Sequence, residues 1–375
     1  MTQQYGTIVI GGGQAGLATG YYLQKHDQDF VILDASERIG DAWRNRWDSL
    51  RVFTEARYNG LPGMSFPAPP HSFPTKDEVA GYLETYAARF DLPVELGVHV
   101  DELDRNGERF LVTAGDRQFE AENVVVAMAS YQVPKVPDFA NQLADDIVQL
   151  HSIDYRNPKQ LQDGGVLVVG AGNSGAEISM DVADTHPTWL SGRDVGTVPY
   201  RPDSWFGRYI GEPFVMRVLF HQLFTTGNPI GRRLRPKMLS QTGPVVRVRP
   251  QDLAAAGIER VPRTVGVRDG RPMVGDDRVL DVANVIWCTG FRPDCSWLHL
   301  PVFGGEATPK EPVHDRGVIP DEPGLYFVGL FFLYGLTSSL LAGIGRDAQY
   351  VVEHIASRPR GTRSMPKSMP VSAGK

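Results

Sequence analysis

The sequence predicts an α/β protein with two dinucleotide-binding domains of the Rossmann type. The first observation is a β-branched run followed by glycines at the G-x-G-x-x-G spacing and a helical pattern, at 7–25. The second is that the same plan recurs at 165–177. The third is a similar closing strand in each half, at 123–129 and at 284–290. Two such units in one chain are a much stronger signal than one, so we expect two nucleotide sites.

The first unit carries the features of a nucleotide-binding turn. Residues 7–10 predict a buried parallel strand, and a helical pattern runs from Leu17 to about Lys25. The glycines allow a tight turn and a close approach to a pyrophosphate, which the free N–H groups of the helix N terminus can bind. Residues 30–33 predict a second strand, which brings an acid to the place where it can accept ribose hydroxyls. The expected contacts are Gly11, Gly13, Gln14, Ala15, Gly16, Asp34 and Ala35.

The second unit has the same glycine spacing but a different residue at the end of its second strand. Arg193 follows the strand predicted at 188–191 and stands where the first unit has an acid. A guanidinium there suits a 2′-phosphate and favours NADPH, although the neighbouring Asp194 keeps NADH as an alternative. The expected contacts are Gly170, Gly172, Asn173, Ser174, Gly175 and Arg193.

Composition limits the classes of partner. The 375 residues carry a formal net charge of −6, which argues against a general nucleic-acid binder. Two cysteines provide no disulfide framework, and without a signal-peptide pattern we expect a cytoplasmic protein. The nine histidines show no ligand spacing with Cys, Asp or Glu, so we expect no metal site. A small-molecule substrate is the expected partner.

Between the two units, several elements can be predicted from local patterns. Two tryptophans and four arginines within 35–54 suit flat rings and phosphates, or alternatively an amphipathic helix. Thr75 and Glu78 form a capping-box pattern that predicts a helix to about Phe90. Strands are expected at 95–100, 109–114 and 117–122, followed by a separate apolar strand at 124–127 that returns to the first sheet.

Two apolar segments need separate interpretation. Residues 325–345 carry no charge, but their glycines and hydroxyls predict a strand, a loop and a helix capped near Thr337 or Ser338, rather than a transmembrane span. Residues 214–224 are apolar at helical spacing and precede four basic residues. A covered core helix, a wall of a substrate channel and a helix in peripheral contact with a membrane are all open readings.

These motifs together resemble the class B flavoprotein monooxygenases, which include flavin-containing, YUCCA-like and CzcO-like proteins. The resemblance covers about residues 5–357. The matching segments are Gly11–Gly16, Gly40–Arg44, Arg46–Leu50, Gly170–Gly175, Cys288–Phe291 and Gly324–Gly329.

The resemblance implies a glutathione-reductase-like arrangement of two domains. Residues 1–150 and 285–357 would form a discontinuous FAD-binding domain, 151–284 an NAD(P)H-binding domain, and 358–375 a disordered tail. The resemblance also implies further residues near the cofactors: Trp43, Arg44 and Leu50 along FAD, Thr289 and Gly290 at the return to the FAD domain, and Gly329 before the flavin. Asn173 is the candidate for a residue that lies beside both cofactors.

The implied activity is that of an FAD- and NADPH-dependent monooxygenase with O₂ as co-substrate. A C4a-(hydro)peroxyflavin would oxygenate a small hydrophobic sulfide, amine or ketone. The family signature is F-x-G-x-x-x-H-x-x-x-(F/Y/W). Only its last two positions are present here, as His151 and Tyr155, while Asp145 and Ile147 stand at its Phe and Gly positions. This difference argues against a standard Baeyer–Villiger enzyme.

Two other functions stay open at this point, and a third is disfavoured by the cysteine spacing. An NAD(P)H:acceptor oxidoreductase or oxidase would use the same cofactors without oxygen insertion, and a nucleotide sensor would not be an enzyme. A disulfide reductase would need a C-x-x-C pair, whereas six residues separate Cys288 from Cys295. A homodimer also stays open.

Overall fold

The computed structural model of the chain describes residues 2–129, 131–202, 204–240, 243–304 and 311–358. The predicted disordered tail lies outside these residues from position 359 onward. The strands are β1 (Gln3–Ile10), β2 (Phe30–Leu33), β3 (Val94–Glu95), β4 (Glu102–Asn106), β5 (Arg109–Ala114), β6 (Arg117–Val126), β7 (Val133–Pro134), β8 (Val148–His151), β9 (Val166–Val169), β10 (Thr188–Ser191), β11 (Glu259–Val261), β12 (Thr264–Arg268), β13 (Arg271–Val274), β14 (Asn284–Trp287), β15 (Phe291–Arg292) and β16 (Leu325–Phe327).

The helices cover these strands or link them. Among the described residues, none of them is both long and apolar enough to cross a membrane. They are α1 (Gln14–Lys25), α2 (Asp41–Arg44), α3 (Lys76–Arg89), α4 (Asn173–Ala183), α5 (Glu212–Phe214), α6 (Pro229–Ser240), α7 (Pro250–Ala255) and α8 (Leu341–Ser357). The π-helical turns Gly207–Gly211 and Val215–Leu223 flank α5, so residues 205–223 form one continuous helix.

The first sheet has the order β3-β2-β1-β6-β5-β4, with β16 also paired to β6. The pairs among β3, β2, β1, β6 and β16 are parallel, whereas β4 and β5 form an antiparallel meander with β6. Strand β2 is buried along its whole length, as expected for a parallel strand covered on both faces. The carboxyl end of β1 leads directly into the first glycine turn.

The strands around the meander differ from the predicted strands at two places. The strands predicted at 117–122 and 124–127 are one strand, β6, which pairs with β1 from Phe119 to Val126. Its first half alternates between exposed and buried side chains, and its second half is buried, so the sequence changes pattern without a break in the backbone ladder. The strand predicted at 95–100 shrinks to Val94–Glu95, and β4 at 102–106 was not predicted.

The second sheet has the order β11-β10-β9-β14-β8, and all of its pairs are parallel. The chain enters this sheet at β8 and leaves it after β14. The predicted domain boundaries at 150/151 and 284/285 therefore cut strands of this sheet. We propose that the NAD(P)H-binding domain runs from about 147 to 288, and the FAD-binding domain comprises the rest.

One of the two helix starts that the sequence predicted from capping residues is confirmed, and the other is not. Thr75 and Glu78 form the predicted capping box at the start of α3. The start of α8 is different, because Leu340 is its N-cap residue and supplies no side-chain cap. Ser338, one of the two predicted caps, instead accepts hydrogen bonds from the backbone of Tyr334 and Gly335, both at 3.0 Å. It stabilises the preceding turn.

The reading of 214–224 as a covered core helix is wrong. Within the π-helical turn Val215–Leu223, Met216 is the buried residue, and Phe214 just before it is 52% exposed. Periodicity correctly predicted a helix there, but its other large apolar side chains are half-buried, so the helix lies at the surface of the protein.

Candidate cofactor-binding site

The first glycine turn leaves an open, uncapped helix N terminus. Gly11 has a φ of 107°, and its N–H bonds to the Leu33 carbonyl at 2.8 Å, which fixes the turn at the sheet edge. Gly16 packs against the carbonyl of Gly11, so a Cβ would overlap it. At Gly13, by contrast, a Cβ would meet no atom within 4 Å, and no side chain caps α1. The turn therefore fits a phosphate group, which would fill this space and accept hydrogen bonds from the free N–H groups.

Asp34 is fixed at the end of β2 by its own hydrogen bonds. Its Oδ2 accepts from the Gly12 N–H at 2.5 Å, and its Oδ1 accepts from the Ser36 N–H at 2.8 Å. A carboxylate has about four acceptor positions, so two remain for the hydroxyls of a ribose. Ala35, the next residue, is exposed. The turn and the acid thus lie at the same sheet edge.

Trp43 joins the first turn to the segment that precedes α8. Its Nε1 donates to Gln14 Oε1 at 3.1 Å, and Gln14 Nε2 donates to the Ser339 carbonyl at 3.3 Å. Gly329, which has a φ of 88°, lies against Ala15, since a Cβ there would come within 3.0 Å of Ala15 Cβ. The N termini of α1 and α8 are therefore brought together by residues of the predicted site.

Arg44 and Leu50 lie in other environments. The Arg44 guanidinium donates to the Ile39 carbonyl at 2.6 Å, to Asp41 at 3.1 Å and to Glu84 at 3.0 Å. These partners use much of its hydrogen-bonding capacity and compensate its charge, so a direct phosphate contact is not evident. Leu50 is half-buried and packs against the apolar core of the second domain. It therefore lies where the two domains meet.

The second glycine turn repeats the first. Gly170 has a φ of 112° and packs against the carbonyl of Cys288, and Gly175 packs against the carbonyl of Gly170. Gly172 is the N-cap residue of α4 in extended conformation, without a side-chain cap. The half-buried Ser174 lies in the first turn of that helix. A second phosphate would meet free N–H groups here as well.

Two arginines flank the edge where a 2′-phosphate is expected. Arg193 is exposed and has no hydrogen bond or ion pair within the described residues. Arg260 on the neighbouring strand β11 has its Nη2 3.5 Å from the carbonyl of Gly192. Sequence reasoning missed Arg260, because only the pairing of β10 with β11 brings it beside Arg193.

The side chain of Asn173 forms hydrogen bonds with the backbone. Its Nδ2 donates to the Pro244 carbonyl at 3.2 Å, and its Oδ1 accepts from the Val246 N–H at 2.9 Å. Both ends of the amide are occupied, so we propose that Asn173 positions the segment 244–246 rather than acting on a substrate.

The connections between the domains run side by side. Strands β7 and β15 pair in antiparallel orientation, and the Lys135 N–H donates to the Gly290 carbonyl at 2.9 Å. Thr289 Oγ1 donates to the carbonyl of Lys135, and Gly290 has a φ of 82°. His151 Nε2 lies 3.1 Å from the Gly290 carbonyl, and burial lowers the pKa of His151. A neutral imidazole thus donates to the return turn.

An aromatic and cationic wall beside these connections was not predicted. Tyr131 and Phe291 stack edge to face at 5.6 Å, and the Arg46 guanidinium lies 5.8 Å from the Phe291 ring centre. Tyr131 is 56% exposed, yet desolvation raises its pKa, and desolvation lowers the pKa of Arg46. This wall lies beside the paired connections between the domains.

Arg247 forms a second interdomain contact and also pairs with Glu177 of its own domain. Arg247 Nη1 lies 3.5 Å from Glu177 Oε1 on α4 and 3.3 Å from the carbonyl of Arg51 in the first domain. Burial raises the pKa of Glu177 to about 7, although Arg247 opposes this shift. The carboxylate therefore titrates near neutral pH.

We expect Glu177→Gln to increase stability more at pH 8 than at pH 5. The folded-state pKa of about 7 lies above the ordinary value of 4.5, so the folded protein loses stability as the pH rises through that interval. The loss is at most about 3.5 kcal/mol, since each pKa unit is about 1.4 kcal/mol. Thermal unfolding at both pH values, with Glu37→Gln at an exposed position as control, measures it. A larger gain at pH 5 would contradict the assignment.

With this geometry established, comparison with known proteins identifies the family. A model of the pyridine nucleotide-disulphide oxidoreductase family matches residues 8–197, just over half of the chain. The chain belongs to this family. It is 40% identical over 350 residues to an uncharacterized oxidoreductase, CzcO-like, of Geobacillus kaustophilus, with 93% of this chain and 97% of that protein covered.

The proteins to which this chain is similar include monooxygenases. The chain is 30% identical to the probable indole-3-pyruvate monooxygenase YUCCA3 of Arabidopsis thaliana, with 94% of this chain and 87% of that protein covered. A flavin-containing monooxygenase from Stenotrophomonas maltophilia superposes with a TM-score of 0.76 at 28% identity, over 94% of this chain and 98% of that one. The predicted family, α/β fold class and enzyme class are confirmed: the protein is a flavin monooxygenase-type oxidoreductase that uses FAD, NADPH and O₂.

Membership of this pyridine nucleotide-disulphide oxidoreductase family does not bring disulfide chemistry with it. Both cysteines are free thiols, and burial raises the pKa of Cys288 to about 12 and that of Cys295 to about 11. Thiols with such pKa values are protonated at neutral pH and are poor nucleophiles. The structure therefore gives no support to the disulfide reductase alternative.

One group of metal-ligand side chains is present among the described residues. Glu102, Asp104 and His299 bring their ligand atoms within 4.8 Å of one another. His299 Nδ1 already lies 3.1 Å from Asp104 Oδ2, and all three residues are near the surface. Exposed groups of this kind are common without a metal, so we assign none.

Proposed function

We propose that this enzyme inserts one oxygen atom of O₂ into a small hydrophobic organic substrate of the sulfide, amine or ketone type. The supporting observation is the pair of uncapped glycine turns, each at the carboxyl edge of a parallel sheet, in a chain without a reactive thiol pair. For a sulfide, the balance is sulfide, O₂, NADPH and a proton giving sulfoxide, water and NADP⁺. When bound, the nicotinamide supplies hydride and the flavin supplies the activation of oxygen.

The residues of the chain have binding and orienting roles in this proposal. The N–H groups at the starts of α1 and α4 would hold the two pyrophosphates, and Asp34 would hold the ribose of FAD. Arg193 and Arg260 would select the 2′-phosphate of NADPH. Trp43 would fix Gln14 at the first turn. No side-chain nucleophile is required, because the cofactors carry the reaction.

A cavity of about 580 Å³ supports a small, partly apolar substrate. Its volume lies within the range of about 300–1,000 Å³ that is usual for small-molecule sites. Two hydrogen bonds to α3 hold its lining segment, from the Leu61 N–H to Tyr82 Oη at 2.6 Å and from Tyr86 Oη to the Pro62 carbonyl at 2.7 Å. The lining residues are Ala56, Arg57, Tyr58, Gly60, Leu61, Gly63, Met64, Ser65, Phe66, Ala68 and Pro70.

Stopped-flow spectroscopy tests the proposed reaction. The purified enzyme is reduced anaerobically with NADPH and mixed with oxygenated buffer while the flavin absorbance is followed. We expect a transient spectrum that differs from reduced and oxidised flavin, and a sulfide substrate should shorten its lifetime. Direct return to oxidised flavin with one equivalent of peroxide would overturn the monooxygenase assignment and indicate an NAD(P)H oxidase.

A further inference from the structure

The first half of the helix at 205–223 presents its large apolar side chains outward, whereas Met216 in its second half is buried. In a helix on the surface of a globular protein, the apolar stripe normally faces the core. Here the inward face carries Gly207 and Gly211, where a Cβ at Gly211 would come within 2.9 Å of the Tyr200 ring. The outward side chains are between 46% and 69% exposed. They are Trp205, Phe206, Tyr209, Ile210 and Phe214.

Contacts with the first domain fix this orientation. Arg57 Nη2 donates to the carbonyl of Arg208 at 2.5 Å, and the rings of His71 and Tyr209 lie 5.2 Å apart. At the other end of the helix, Arg346 Nη1 donates to the carbonyl of His221 at 3.2 Å. The helix is therefore held at both ends and cannot roll its aromatic face inward without losing these contacts.

The segment that contains this helix has a net charge opposite in sign to that of the whole chain. Residues 201–240 contain seven Lys and Arg and two Asp and Glu, whereas the whole chain has a net charge of −6. Of the two acids, Glu212 is buried and accepts a hydrogen bond from Tyr200 Oη at 2.8 Å. Arg217, Arg232 and Arg233 are exposed. The helix and the segment that follows it are therefore basic, and the exposed Arg217 lies on the helix itself, three residues after Phe214.

We propose that the outer face of helix 205–223, together with the exposed arginines of the same basic segment, docks on an anionic lipid surface. Trp, Tyr and Phe on one face with arginines beside them are the composition of helices that lie in the membrane interface. A second copy of the chain fits less well, because face-to-face docking would bring two positive segments together. The docking surface adjoins the cavity, since Arg57 also lines it.

Vesicle flotation of the purified holoenzyme tests this surface without using the oxygenation reaction. We expect binding to vesicles with about one third phosphatidylglycerol but not to pure phosphatidylcholine, because each arginine near an anionic surface contributes about fivefold in affinity. Arg232→Glu with Arg233→Glu should lower binding at least about tenfold. Trp205→Ser with Phe206→Ser should also abolish stable binding, while flavin content stays unchanged.

Matched control variants distinguish binding through this surface from nonspecific binding to lipid. Val265→Ser with Val313→Ser removes two other exposed apolar side chains, and Arg89→Glu with Arg268→Glu reverses two other exposed charges. Both control proteins should bind the anionic vesicles like the unchanged enzyme. No binding to anionic vesicles, or equal loss in the controls, would overturn the proposal. A dimer in sedimentation analysis that Trp205→Ser with Phe206→Ser dissociates would show instead that a second copy covers this face.

Discussion

Gly13→Ala is expected to yield a folded protein that has lost most of its affinity for FAD. A Cβ at this position meets no protein atom within 4 Å, so the polypeptide accommodates it. The same methyl group occupies the space into which a pyrophosphate would have to come close. Overlap of this size costs about 1–3 kcal/mol, which corresponds to a loss of roughly 10- to 100-fold in affinity. The measurement is FAD titration of the apoprotein, with circular dichroism to confirm the fold.

Gly81→Ala provides the matched control. Gly81 lies in the interior of α3, and a Cβ there also meets no atom within 4 Å. Alanine in an exposed helix interior is more stable than glycine by about 1 kcal/mol, so this variant should melt higher and bind FAD normally. If Gly13→Ala retained full FAD affinity, the first turn would not be the pyrophosphate site.

Arg193→Ala is expected to raise the KM for NADPH about 10- to 100-fold and to leave the KM for NADH nearly unchanged. A hydrogen bond to a charged group contributes about 1.5–3 kcal/mol, and only NADPH carries the 2′-phosphate that would receive it. Arg260→Ala should act in the same direction, because Arg260 lies at the same strand edge. The measurement is steady-state NADPH and NADH consumption at fixed O₂.

Arg268→Ala is the control for the nucleotide experiment. This arginine is exposed on β12, and we assign it no role in nucleotide binding. Neither KM should change in this variant. Equal increases for NADPH and NADH in Arg193→Ala would contradict a contact with the 2′-phosphate and indicate a role shared by both nucleotides.

The parts of the site that the sequence predicted are those determined by neighbouring residues. A glycine turn needs its strand, its spacing and its helix, and all three lie within about twenty residues of Gly11. The capping box at Thr75 is similarly local. Arg260 and the pair of Glu177 with Arg247 could not be predicted in this way. Their positions depend on strand pairing and on contacts between residues far apart in the chain.

Two errors about secondary structure have a related cause. The change of pattern within β6 suggested two strands, but hydrogen bonding to β1 continues across it. For the exposed helix, periodicity predicted residues 214–224, and the structure extends the helix back to 205. Periodicity could not show which side of this helix the rest of the chain covers, because covering depends on tertiary packing.

The paired connectors β7 and β15 restrict how the two domains can move. Two independent single-chain links would allow the domains to twist, slide or separate. Here the backbones of both links are hydrogen-bonded to each other, so they must bend as one ribbon. Such a ribbon bends far more readily across its plane than within it. Any relative motion of the domains must therefore bend both links together, beside the wall of Tyr131 and Phe291.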